Sequence, residues 1–211
     1  MGGMMGQRDN AMAQYDEDIQ KSLAPPGAGL PVVQKVILRY LLFPAFCRTN
    51  SWQKAHAKFQ AEGDRIVALA ERLSPEQLQE RILVKAPMGM EDSSRYWSAA
   101  MVLEHLIEVG SRVATGIVEL THGEQVTVSS DIADVKPTGG KGSQIVEEYK
   151  AFLRDYAHTL NEDAGDWKSA QTHGHPWFGE LDAHQWACLG AVHQSIHRKQ
   201  MERIVAGLGR S

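Results

Sequence analysis

Two histidines four residues apart, His193 and His197, stand within the run from Leu181 to Ile204. On a helix this spacing puts both imidazoles on one face, one turn apart. Steps of three or four residues from Trp186 pass through Leu189, His193, His197, Met201, Ile204 and Leu208. The pair therefore falls in the apolar stripe that should face a core. Two inward neutral imidazoles at this spacing can chelate one divalent metal, because the helix fixes the bite between them. His105 lies in a comparable stripe of Trp97, Met101, His105, Val109, Val113, Ile117 and Leu120. One histidine on an apolar face is more often a hydrogen-bonded core residue; three at one depth favour a metal site. His193-x-x-x-His197 lacks the glutamate of His-Glu-x-x-His, which disfavours zinc-protease chemistry.

Helices must bring these residues together. The periodicity predicts a first core helix over about 51–73, with Asn50 and Gln53 as a capping box and Phe59, Ile66, Ala70 and Leu73 facing inward. Ser74, Pro75 and Gln77 open a short helix by the same chemistry. A second core helix is expected over about 95–121, beginning after Asp92, Ser93 and Ser94. A third, over about 143–160, carries Ile145, Tyr149, Phe152, Tyr156 and Leu160. The fourth starts at Asp182, with Gln185 completing a capping box, and ends near Ala206, before Gly207.

Four amphipathic helices of this length make an all-α four-helix bundle. The 122–142 connection can run the length of a helix, so helices two and three can be parallel and helices two and four antiparallel. His105 is about ten residues into its helix, and His197 about ten from the end of the last, so antiparallel packing matches their depths.

Ahead of the bundle, residues 1–30 read as a partly flexible extension with a short helix over 11–22 and a loop. Residues 31–211 read as a single domain. A further helix is expected over about 31–43, with Pro31 in its first turn and Pro44 as its stop. Its wide apolar face suits packing or a homodimer contact better than a membrane surface, because it lacks a strongly basic face.

The net charge is -4 and no basic stripe is visible, which argues against nucleic acid as a partner. Cys47 and Cys188 are the two cysteines, without a Cys-x-x-Cys, so neither a zinc knuckle nor a disulfide framework is expected. Reduced thiols fit a cytoplasmic location. The most apolar run, 32–43, is shorter than the ~20 residues a bilayer span requires, so stable membrane insertion is not expected.

Three passages together resemble the DinB-like superfamily, including its YfiT-type metal-dependent enzymes. They are Trp97 to Leu106, which contains His105; His175-Pro-Trp-Phe-Gly179 before the last helix; and His193-x-x-x-His197 followed by Arg198-Lys-Gln200. The second is most like an uncharacterised branch with a His-Pro-x-x-Gly loop. The resemblance covers about residues 50–206. It implies an up-down-down-up bundle, commonly dimeric, with His105, His193 and His197 binding a divalent ion such as Zn, Ni or Fe.

Three imidazoles leave a coordination position open, where water or a thiol could be activated. The resemblance adds thiol-dependent transferases and isomerases among relatives. The expectation is a metal-dependent hydrolase or low-molecular-weight thiol transferase acting on a small molecule. A non-enzymatic metal-binding or stress-responsive dimer is the alternative. Glu108, one turn beyond His105, is a candidate general base or ligand-orienting group, and His175 a candidate catalytic residue that lines the pocket or lends a proton. His56, His122, His158, His173 and His184 read as surface histidines. Cys188 falls off the His193/His197 face and is not proposed as ligand or nucleophile.

Overall fold

The computed structural model describes residues 14–129, 131 and 133–209. Residues 14–22 form α1; the beginning of the helix expected over 11–22 lies outside the described residues. The core helices are α4 (Trp52–Ala70), α6 (Ala99–Thr121), α7 (Ile145–His158) and α8 (Ala183–Leu208). Before them come α2 (Val32–Ile37) and α3 (Phe43–Thr49), joined by a π turn over Leu38–Leu42. The short helix α5 spans Pro75–Gln79. Two small antiparallel pairs complete the fold: β1 (Ile82–Leu83) with β2 (Tyr96–Trp97), and β3 (His173–His175) with β4 (Gly179–Leu181).

Side-chain contacts fix the helix directions. His184 bonds the carbonyl of Asn50, and Arg198 pairs with Glu62, so α4 and α8 run parallel. Phe59 stacks on Tyr156 at 3.9 Å and Lys150 pairs with Glu71, so α4 and α7 are antiparallel. His105 meets His193 while a Cβ on Gly190 would touch Val113, so α6 and α8 are antiparallel. Gly110 abuts Phe152 and Thr121 receives the Gly165 N–H, so α6 and α7 are parallel. This is the up-down-down-up arrangement. Ile145, Tyr149, Phe152, Tyr156 and Leu160 are all buried, as their spacing requires.

Several boundaries differ from the sequence expectation. Ser51, not Asn50, caps α4, accepting from the Lys54 N–H. Asn50 is buried instead, and its side-chain amide donates to the Phe46 carbonyl at the end of α3. The second core helix starts at Ala99 because Tyr96 and Trp97 pair with β1; Ser98 caps it through the Met101 N–H. Pro44 does not stop the preceding helix. It occupies the first turn of α3, where its missing N–H is not needed, and the π turn absorbs the change by bonding the Phe43 N–H to Leu38 O. The capping boxes at Ser74/Gln77 and Asp182/Gln185 form as expected. Among the described residues no helix is long and apolar enough to cross a membrane.

Candidate metal centre

His105 sits in the second turn of α6, and its depth is set by the Ser98 cap. Two turns of α8 bring His193 and His197 opposite it. His105 Nε2 lies 3.2 Å from His193 Nε2, and one ring nitrogen from each of the three falls within 4.8 Å of the others. A tetrahedral ion with bonds of ~2.0–2.1 Å to nitrogen separates its ligand atoms by ~3.3 Å. The observed 3.2 Å is close to that edge.

Two of the rings are oriented by hydrogen bonds on their far side. His105 Nδ1 lies 2.7 Å from the Val135 carbonyl, an acceptor, so Nδ1 carries the proton and Nε2 keeps its lone pair. His197 Nδ1 lies 2.7 Å from Gln200 Oε1, and Gln200 Nε2 donates to the Ser94 carbonyl at 2.7 Å. That second bond fixes the amide so that its oxygen faces His197. Such partners behind ligating histidines set the tautomer and raise ligand basicity. The ring of Trp97 lies parallel to that of His197, with centroids 6.0 Å apart.

The electrostatics favour neutral rings. Burial pushes His105 down to about 4. His193 and His197 fall well below the ordinary imidazole value, first through burial and then through neighbouring histidines. All three are thus unprotonated near neutral pH, the form that coordinates a metal. The donor set, its spacing and its oriented tautomers fit a divalent ion.

The crossover between α6 and α7 closes one side. Glu104 accepts from Thr138 and from the Gly139 N–H, which pins this segment to α6 and places the Val135 carbonyl over His105. Next to it, Lys136 pairs with the buried Glu91 and donates to Ser93 and Ser94. Glu91 also receives the N–H groups of Gly27 and Gly29, so the loop before α2 is tied to the same corner.

On the other side the three imidazoles open onto a cavity of about 160 Å³ whose wall is mainly apolar. His175 lines it. Its Nδ1 accepts from the Trp177 N–H at 3.1 Å, which leaves the proton on Nε2, and burial pushes its pKa down to about 4. Glu108 shares a separate cleft with His105 beneath the 134–138 segment and does not join the three imidazoles. It is half exposed, pairs with Arg112 at 2.7 Å, and does not line the cavity. Cys188 is buried away from the triad, 3.4 Å from His184 Nε2.

Three histidines read as surface residues are partly buried. His173 lines the cavity, His184 bonds to the Asn50 carbonyl, and His56 packs half-buried near Tyr156. Sequence reasoning also missed Gln200 and Val135 as partners of the imidazoles. Gln200 had a signal, since it stands three residues after His197 on one helix face. Val135 contributes only a carbonyl, for which side-chain patterns carry no mark.

No curated protein matches the chain. Among solved structures it is similar to one described as "TT2238, a four-helix bundle protein", at 24% identity and a TM-score of 0.48, over 72% of this chain and 98% of that one. The model of the DinB superfamily matches residues 58–201, a span that holds all three histidines and most of the four core helices. The chain belongs to the DinB superfamily.

Proposed function

We propose that the chain is a metal-dependent enzyme, a hydrolase or low-molecular-weight thiol transferase, with Zn, Ni or Fe held by His105, His193 and His197. The observation that carries this reading is the convergence of three neutral imidazoles on the wall of a cavity, two of them oriented by Val135 and Gln200. A divalent ion there supplies Lewis acidity, which lowers the proton affinity of a small nucleophile such as water or a thiol.

The chain's own groups do the rest. Val135 and Gln200 keep the imidazole lone pairs aimed at one point. The apolar wall lowers the local dielectric and so strengthens charge interactions at the site. His175, neutral near pH 7 with its proton on Nε2, acts as a hydrogen-bond donor to the reacting molecule. Glu108 receives no catalytic role in this scheme because Arg112 and solvent hold its carboxylate.

The alternative is a metal-binding or stress-responsive dimer without catalysis. The cavity beside the imidazoles favours the enzyme, since a purely structural ion needs no space for a substrate. Activity panels separate the two readings. Esters and amides form one panel, and small thiols with an electrophilic dye the other, each run on purified, chelator-stripped and His193→Ala protein. The expected result is turnover in one panel that stripping and the substitution abolish. Turnover no higher than the stripped control in both panels would favour the non-enzymatic alternative.

A further inference from the structure

Two buried side-chain nitrogens, Gln194 Nε2 and His173 Nε2, have no hydrogen-bond partner among the described residues. Both residues line the cavity that holds the imidazoles. Gln194 is 1% exposed, in the middle of α8. Its Oε1 accepts from the Tyr149 hydroxyl at 2.8 Å. That hydroxyl is held protonated by burial, so it donates, and the Gln194 amide is fixed with its N–H₂ unpaired. A buried donor left without an acceptor is costly, and native interiors seldom keep one unless a ligand or water completes it.

The surroundings specify what completes it. The cavity of about 160 Å³ is of the size that admits a single aromatic ring in a helical core. Phe59, Trp177, Phe178 and Trp186 contribute aromatic rings to its wall. The β3–β4 hairpin covers it, with Phe178 against Phe43 at 4.6 Å and His173 against Trp186 at 5.7 Å. An apolar wall with a few convergent polar atoms is the make-up of a small-molecule site.

We propose that this cavity binds a small molecule with a ring-sized apolar body and a carbonyl-type acceptor, which takes the hydrogen bond of Gln194 Nε2. Its other end faces the imidazoles. His173 Nε2 is the second polar anchor, at the hairpin. The proposal rests on reading the cavity as the substrate pocket of the metal centre, and it names the chemistry that selects the substrate. Gln194 is a specificity-determining residue, while the three histidines would hold the metal.

The test compares acetophenone with ethylbenzene, two probes of like shape that differ in the carbonyl. Their affinities are measured by NMR titration of the purified full-length protein and of Gln194→Met. Wild type should bind acetophenone about 5-fold more tightly, the factor one net hydrogen bond supplies. Gln194→Met should bind both equally. Tyr149→Phe, which frees the amide to turn, should shrink the preference and serves if Gln194→Met fails to fold. Equal binding by wild type, as when buried water alone satisfies Gln194, would overturn the proposal. So would failure of both probes to bind, or a preference that survives in the variants. Metal content is read on the same samples. Loss of metal with the preference intact counts against the metal centre alone, and intact metal with no preference counts against Gln194 alone.

Discussion

At the scale of single residues, the groups behind the imidazoles matter as much as the imidazoles. Gln200 is fully buried and links His197 Nδ1 to the Ser94 carbonyl. Gln200→Leu leaves His197 unoriented and the Ser94 carbonyl unpaired. Metal affinity should fall ~10–100-fold, the usual cost of removing such a partner, as measured by competition with a chelator of known affinity. The three clustered rings also impose a pH dependence on the metal-free protein. His105 is depressed to about 4 in the folded state, against ~6.5 when unfolded. Between those values the unfolded chain binds more protons, so stability is full above ~6.5 and is lost as pH falls toward 4. From His105 alone, moving from pH 7 to pH 5 should cost about 2 kcal/mol, or ~5 °C in melting temperature. His105→Gln should make that slope shallower in thermal melts of the metal-free protein, the remainder coming from His193 and His197. The imidazole triad itself was legible in the sequence because a helix converts residue spacing directly into facing. Val135 was not, since any residue type presents the same carbonyl.

At the scale of the helices, close approach sets the register that aligns the site. An added Cβ at Gly110 would lie 2.2 Å from the Phe152 ring, between α6 and α7. Gly110→Ala must push that ring aside, and overpacking of this kind costs ~1–3 kcal/mol. A melting temperature lower by several degrees should appear together with weaker metal binding, because His105 lies in the same helix. Helix identity and inward faces followed from periodicity, but some ends did not. Asn50 and Ser51 are both good caps, and only the burial of Asn50 against Phe46 and His184 decides between them. Trp97 fits a helical stripe by spacing, yet its backbone joins a two-residue strand with Ile82. Pro44 reads as a stop only where no π turn precedes it.

At the scale of the molecule, α2 and the π turn carry several exposed apolar side chains among the described residues. Val32, Val33, Tyr40 and Leu41 are each more than 60% exposed. Large apolar residues exposed this close together are a common mark of an interaction surface. A second copy of the chain is the occupant we propose, as the family resemblance implies, and Val33→Glu with Tyr40→Glu should convert a dimer into a monomer in sedimentation equilibrium. A wild-type monomer at tens of micromolar would remove that reading while leaving the metal centre untouched. The bundle topology was only partly legible: the long 122–142 connection permits parallel α6 and α7. The pairing of α4 with α8 is fixed by contacts such as Glu62 with Arg198, whose partners are far apart in sequence.

The central claim, that His105, His193 and His197 hold a metal, is tested most directly by elemental analysis. Protein purified without a histidine tag would be compared with His105→Ala and His193→Ala. The account predicts about one equivalent of a divalent transition metal in wild type and loss of most of it in both variants. The same substoichiometric content in all three proteins would contradict it.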